Sequence, residues 1–365
     1  MMEENIQLSE ILKRFRTDGS PVRCVPYGSG HINRTWLVET GRHHRYILQQ
    51  VNTAVFTDAD GLMRNIMLVT EHLRTKDPAP GHVLTLVGTT DGGFWIRMPG
   101  NQLWRMYEFV SGGICLEKAE TREDIRLSGV AFGRFHQQMA DFPARRLTEV
   151  IPGFHDTPAR YRALRRAIRE DRAGRAEGIR KEIDFYLERE ETAGRMVSMQ
   201  RTGELPTRVT HNDTKLDNVM LDEKTRQPLC ILDLDTVMPG LAANDFGESI
   251  RFGASTAAED EPDTSRVHLD LEMVGAFTEG FLGVCGADLT EAELETLHEG
   301  ARLMTLENGT RFLADYLNGD TYYHISRPDQ NLDRARAQMA LVRDMETKEE
   351  QIRRMIRRIR KEAGA

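Results

Sequence analysis

No run of apolar residues in the chain exceeds a few positions, far short of the ~20 needed to span a bilayer, so no membrane helix is expected in its 365 residues. Cysteine is scarce and scattered. Cys24, Cys115, Cys230 and Cys285 form no CxxC pair, which argues against a disulfide framework or a zinc site and leaves buried free thiols as the expectation. A dense basic surface is missing as well. The net charge of -8 excludes general affinity for a phosphate backbone, so no nucleic-acid partner is expected. An anionic small molecule would have to be met by local positive groups and a metal ion. The opening residues, MMEENIQLSEILKRF, lack the basic start and apolar stretch of a secretory signal, and a cytoplasmic location is the expectation. Internal repeats and low-complexity linkers are absent too.

What is present is a globular composition, 39% hydrophobic and 29% charged, in a chain longer than one ordinary domain. The first 110 or so residues hold short strand-like runs, PVRCVPYG, TWLVET, RYILQQV, HVLTLVGT, GFWIRM and LWRMYEFV, most of them bounded by Gly, Asn or Asp. Between the third and fourth, Leu62, Ile66, Val69 and Leu73 recur at helical spacing. From residue 121 onward helical patterns dominate, at 121–139, around 158–198, and at 264–282, 290–318 and 331–361, interrupted by an extended segment at 206–235. The expected fold is α+β and bilobal: a small antiparallel β lobe with one helix over residues 1–112, and a large, mostly helical lobe over 113–365. The last helix carries Ile352, Met355, Ile356 and Ile359 on one face and five arginines elsewhere, the pattern of a docked amphipathic helix with a solvated face.

Chemistry concentrates in RVTHNDTKLDNVMLDEKTRQPLCILDLDTVMPG, residues 208–240. A polar loop is held between strand-like segments, and a returning hairpin is expected to bring Asp213, Lys215, Asn218 and Asp233 to one place. Phosphoryl transfer needs that set. A carboxylate orients the attacking hydroxyl and accepts its proton, hard oxygen ligands hold magnesium, and a cation offsets charge on the transferred group. Each residue taken alone reads better as a turn former or solvated charge. Together, HNDTKLDN followed fifteen residues after Asn218 by Asp233 of DLD is a specific signal.

That loop resembles the catalytic loop of the aminoglycoside phosphotransferase and choline kinase superfamily, relatives of the protein kinases. Over a longer span, YGSGHINRTWLV, RYILQQVN, LMRNIMLVTEHL, THNDTKLDNVMLD, ILDLDTVMPG, DFGESIRFGAS and RFLADYLNGDTYY are similar to the bacterial N-acetylhexosamine 1-kinases, from residue 27 to 323. The resemblance implies a bilobal kinase-like fold and transfer of the ATP γ-phosphate to the anomeric hydroxyl of N-acetylglucosamine or N-acetylgalactosamine. It implies Asp213 as base, Asn218 and Asp233 as Mg2+ ligands, Lys215 as the phosphate-facing lysine and His211 as a strut for the loop. Asp235 reads as a supporting or auxiliary metal carboxylate, and Asp245 as a hydrogen-bond anchor of the loop. Within the same fold an aminoglycoside or amino-alcohol kinase is the alternative, and a non-catalytic kinase-like binding module is the reading from another class.

Nucleotide should be held by Gly28 and Gly30 in YGSGHINRT, where glycine lets backbone approach phosphate. Backbone groups near Glu108 and Val110 are expected at adenine. Two departures from the protein-kinase pattern stand out: Asn33 replaces a third glycine, and the third strand carries Gln49 and Gln50 where a lysine would hold the phosphates. Gln49 donates without charge, and Glu71 then has no lysine to pair with. For a sugar, the segment GTRFLADYLNGDTYYH offers Arg311, Asp315, Tyr316, Tyr322 and Tyr323. By resemblance Arg311 and Tyr322 are the expected sugar contacts. His31, in the glycine loop, reaches phosphate or sugar, or packs the loop.

Overall fold

The computed structural model describes residues 8–28 and 32–364. The chain condenses into two compact units, one made of Met1–Ile114, Arg145–Pro152 and Met220–Met238, the other of Cys115–Ala144, Gly153–Val219 and Pro239–Ala365.

In the first unit, strands β1 (Pro21–Pro26), β2 (Arg34–Thr40), β3 (Arg45–Val51), β4 (Trp95–Met98) and β5 (Gln102–Glu108) form an antiparallel sheet in the order β1-β2-β3-β5-β4. Alternation along the strands sorts its two faces. Trp36, Val38, Tyr46, Leu48, Trp104 and Met106 point to one side, where they close a core with Leu8, Ile11, Leu12, Phe15, Val87 and Ile96. Thr35, Gln49 and Arg105 point to the other, and register sets Gln49 directly opposite both Thr35 and Arg105. Helix α1 (Ala59–Lys76) starts at Asp58, whose carboxylate accepts from the Gly61 amide, and buries Leu62, Met63, Ile66, Val69 and Leu73. It stops at Asp77, which precedes Pro78 and is held out of the helical region. The unit also holds most of a smaller sheet of β6 (Gly113–Cys115), β8 (Val219–Asp222) and β9 (Pro228–Ile231), in the order β6-β8-β9.

The strand expected at HVLTLVGT does not form. Residues 82–89 make only isolated bridges, Leu86 to Tyr107 and Thr89 to Phe15. The cause is the sheet itself: β4 occupies that edge of β5 from Gln102 to Arg105, so the segment finds ladder partners only at Met106 and Glu108.

The second unit is built on α2 (Arg122–Met139), α3 (Thr157–Glu170), α4 (Ala242–Gly253), α5 (Leu271–Cys285), α6 (Glu291–Leu317) and α7 (Gln330–Ala363). Glycine sets its closest crossings. A Cβ on Gly247 of α4 would lie 2.3 Å from the Gly300 carbonyl of α6, and one on Gly300 would lie 2.0 Å from the Ala243 oxygen. Backbone therefore meets backbone where the two helices cross. Helix α7 docks by Ile352, Ile356 and Ile359, all buried. Among the described residues no helix is long and apolar enough to cross a membrane. All four cysteines are free, but only Cys230 and Cys285 are buried; Cys24 is half-buried and Cys115 exposed, which corrects the expectation of uniformly buried thiols.

Candidate active site

Strand β7 (Arg208–Thr210) feeds the polar loop 211–218, and one carboxylate organises its start. Asp245, in the first turn of α4 and fully buried, accepts from the backbone amides of His211 and Asn212, each at 2.7 Å, and lies 2.9 Å from His136 Nε2. Thr214 Oγ1 donates to the Asp245 carbonyl at 2.6 Å, and Ser249 Oγ donates to the Thr214 carbonyl at 2.9 Å. Burial pushes the Asp245 carboxyl up, yet the His136 hydrogen bond and the neighbouring imidazoles and amide hold it below the ordinary value. Asn212 takes a left-handed conformation at φ 64°, which Asn tolerates better than most residues. His211 is fully buried, its ring edge-on to Phe132 and Phe135.

Asp213 follows, and both its oxygens are engaged. Lys215 Nζ lies 2.7 Å from Oδ1, and Asn218 Nδ2 donates to Oδ2 at 2.9 Å and to the Asp213 carbonyl at 2.8 Å. Burial works to lower the Lys215 pKa, but the Asp213 charge and hydrogen bond prevail and raise it, so the ammonium stays charged. The amide nitrogen of Asn218 is spent on Asp213. Its Oδ1 oxygen is not used in these bonds. Asp213, Lys215, Asn218, His211 and Asp245 are thus brought together within the second unit.

The expected sugar residues lie in the same unit. Asp315 accepts from three successive backbone amides, Thr321, Tyr322 and Tyr323, at 2.9 to 3.0 Å, and so fixes the segment that bears the tyrosines. Tyr322 is 71% exposed, its ring edge-on to Tyr323. The Arg311 guanidinium lies over the Tyr323 ring at 5.5 Å. Burial would lower its pKa, but Tyr323, Glu307 and Tyr322 raise it. Among the described residues Arg311 makes no close ion pair, and the carboxylate whose charge reaches it, Glu307, already has partners. Glu307 bonds His155 Nδ1 at 2.9 Å and Thr157 Oγ1 at 2.8 Å. Glu248 is locked to Arg251, which also holds Glu259 at 2.8 Å. Burial pushes Glu248 up, but Arg251 outweighs it and takes the carboxyl down to about 2. Two buried atoms, Tyr323 OH and His155 Nε2, have no hydrogen-bond partner among the described residues.

The first unit carries the other expected groups. Asp233, just past β9, takes a left-handed conformation at φ 49°. Asp235 lies 2.5 Å from Arg105 Nη1, an ion pair off the hydrogen-bonding angle, and accepts from Asn33 Nδ2 at 2.6 Å. Arg105 Nε donates to Gln49 Oε1 at 2.9 Å, and Gln49 Nε2 donates to Thr35 at 3.2 Å. Asn65 of α1 donates to the Val237 carbonyl at 3.1 Å, so the turn after Asp233 is tied to the helix as well. Sequence reading missed Arg105. Its signal was a lone arginine between Trp104 and Met106, at the alternation that turns it off the apolar face. It also missed His136 and the pair His155 and Glu307, which come together only across more than a hundred residues of chain.

Gly28 follows β1 with φ 78°, and no described residue lies within 4 Å of where its Cβ would sit. Gly30 and His31 lie outside the described residues. Of the backbone groups expected at adenine, the Glu108 amide already donates to the Thr85 carbonyl at 2.9 Å, and Val110 is half-buried. Glu71 is exposed on α1.

No group of three or more His, Cys, Asp or Glu side chains that could cage a metal alone occurs among the described residues. The Asp233 carboxylate in the first unit and the Asn218 amide oxygen in the second are each hard oxygen donors of the type magnesium takes.

A small antiparallel unit with one long helix, and a larger helical unit bearing this loop, define the protein-kinase-like class of phosphotransferase folds. Residues 23–277 match the model of the phosphotransferase enzyme family, and the chain belongs to that family. Among solved structures it is similar to an amicoumacin kinase in complex with AMP-PNP and Ca2+, at TM-score 0.64 and 16% identity over 95% of this chain and 94% of that one. A microcompartment-associated aminopropanol kinase gives TM-score 0.60 at 16% identity, over 96% and 98%. An aminoglycoside phosphotransferase from Alicyclobacillus acidocaldarius gives 0.59 at 14%, over 97% and 96%. At these identities the likeness is one of fold.

Proposed function

We propose that the protein transfers the γ-phosphoryl group of ATP to the 1-hydroxyl of an N-acetylhexosamine. Asp213 takes the proton of the acceptor hydroxyl as its oxygen bonds to the γ-phosphorus, while the bond from that phosphorus to the β–γ bridging oxygen breaks and ADP leaves. Lys215, charged and beside the base, offsets charge on the phosphoryl group in transfer and aligns the carboxylate. Asn218 and Asp233 would hold the magnesium of the nucleotide, which neutralises phosphate charge when bound. The glycines Gly28 and Gly30 would take the phosphates, and the backbone near Glu108 and Val110 the adenine. Arg311 and Tyr322 would contact the sugar, with the Tyr323 hydroxyl as a further partner.

One observation carries the choice of a neutral acceptor over a cationic one. Glu307, the carboxylate whose charge reaches Arg311, is already hydrogen-bonded to His155 and Thr157, and among the described residues Arg311 makes no close ion pair of its own. An aminoglycoside or amino alcohol would bring another positive charge to that place, and an uncompensated like charge is costly. A sugar acetamide or hydroxyl oxygen accepts from it.

The test is ADP release from magnesium-ATP with N-acetylhexosamines, plain hexoses, aminoglycosides and amino alcohols, with the phosphorylated position read by phosphorus NMR. Turnover should be greatest with an N-acetylhexosamine and yield the 1-phosphate. Asp213→Asn should lower it by about 10²- to 10⁴-fold. Turnover confined to aminoglycosides or amino alcohols would replace the sugar assignment, and full activity in the Asn variant would overturn the role of Asp213.

A further inference from the structure

The third strand has no lysine, and the structure supplies a cation from the strand beside it. Gln49 on β3 faces Arg105 on β5 in direct register, and its side chain is consumed in a row that runs from Thr35 through Gln49 to the Arg105 Nε. We infer that Arg105 is the positioning cation of the nucleotide site, holding the segment 233–237 so that Asp233 presents its carboxylate to the metal of the bound nucleotide. This rests on the kinase reading above.

Three observations bear on it. Arg105 is only 1% exposed, and burying a guanidinium is expensive unless its partners are fixed in place. Its partners are Asp235, two residues beyond Asp233, and Gln49. Second, the segment is pinned from other directions: Asn33 Nδ2 holds Asp235 while Asn33 Oδ1 accepts from the Asn52 amide at 3.0 Å, and Asn65 holds Val237. Third, Asp233 sits in a left-handed conformation, which a non-glycine residue keeps only where its surroundings enforce it. Arg105 supplies the charged part of that enforcement. At such burial it acts through Asp235 rather than by touching a phosphate. A protein kinase's third-strand lysine reaches out to the nucleotide; here the positive charge has moved one strand over and turned toward the metal-side loop.

The experiment compares Arg105→Gln, Arg105→Lys and the double variant Gln49→Lys/Arg105→Gln with wild type, by calorimetric titration of Mn2+ with AMP-PNP and by separate KM values for nucleotide and acceptor. Arg105→Gln should weaken Mn2+–AMP-PNP binding by about ten- to a hundredfold, the range for partners that orient a metal ligand, and leave the acceptor KM within about twofold. The double variant, with its cation restored on the neighbouring strand, should recover part of that loss. If Arg105→Gln does not fold, Arg105→Lys decides: it keeps the charge at Asp235 without the fork that also engages Gln49, and should weaken binding severalfold. Wild-type affinity in a folded Arg105 variant, or equal losses in nucleotide and acceptor KM, would overturn the positioning role. No Mn2+–AMP-PNP binding by the wild-type protein would overturn the kinase reading instead.

Discussion

At the scale of single residues, the buried pair of Glu248 and Arg251 offers a prediction with a fixed sign. The folded-state carboxyl is depressed from 4.5 to about 2, so Glu248 contributes stability above pH 4.5 and loses it as pH falls toward 2. Urea unfolding of Glu248→Gln should be less stable than wild type near neutral pH, because Arg251 then retains only Glu259 among carboxylates. Its stability should also fall less steeply through the acid range, and parallel pH profiles would contradict this assignment. The same scale shows what the sequence made legible. Asp213, Lys215 and Asn218 stand within six consecutive residues, so the order of the chain alone displays their spacing. His136 and Arg105 were not legible in that way, because their partners Asp245 and Asp235 are contiguous with them only in space. Alternation shows that Arg105 leaves the apolar face, but neither it nor a histidine on a helix has a local pattern that names the carboxylate it will meet.

Among elements, the contact of α4 with α6 controls where Asp245 and Glu248 are aimed. Gly300→Ala places a methyl carbon against the Ala243 carbonyl at a distance no real contact adopts, and α4 must move. A loss of about 1–3 kcal/mol is expected, as for overpacked sites, together with a lower kcat, since α4 also bonds the loop through Thr214 and Ser249. Urea titration and steady-state kinetics on the same variant check both; an unchanged kcat in a destabilised protein would uncouple the crossing from the loop. The long helices were readable because their apolar spacing is set by burial along the whole element. The segment 82–89 was misread because its composition suits a strand, while the edge it needed was already taken by β4. Pairing is a property of two segments, and alternation within one of them does not reveal competition for the same edge.

For the molecule as a whole, ligand binding should appear as added stability. Magnesium AMP-PNP at a hundred times its Kd should stabilise the fold by about 2.7 kcal/mol through linkage. Asp233→Asn should diminish that gain without lowering the unliganded midpoint, because Asn is at ease in the left-handed conformation found there. Thermal melts followed by circular dichroism, with and without ligand, read both effects, and an undiminished gain would remove Asp233 from the metal site. The expectation of a small antiparallel sheet followed by helices was legible because strand-like and helical patterns occupy successive stretches of chain. Finally, Asp315 grips residues 321–323 chiefly by their main-chain amides, with the Thr321 hydroxyl as the one side chain that joins in. The Tyr322 and Tyr323 side chains carry none of that grip, so either can be exchanged without removing the amide bonds that hold the segment. In evolutionary terms, a hold made through the main chain lets the tyrosines drift while the backbone that bears them is kept.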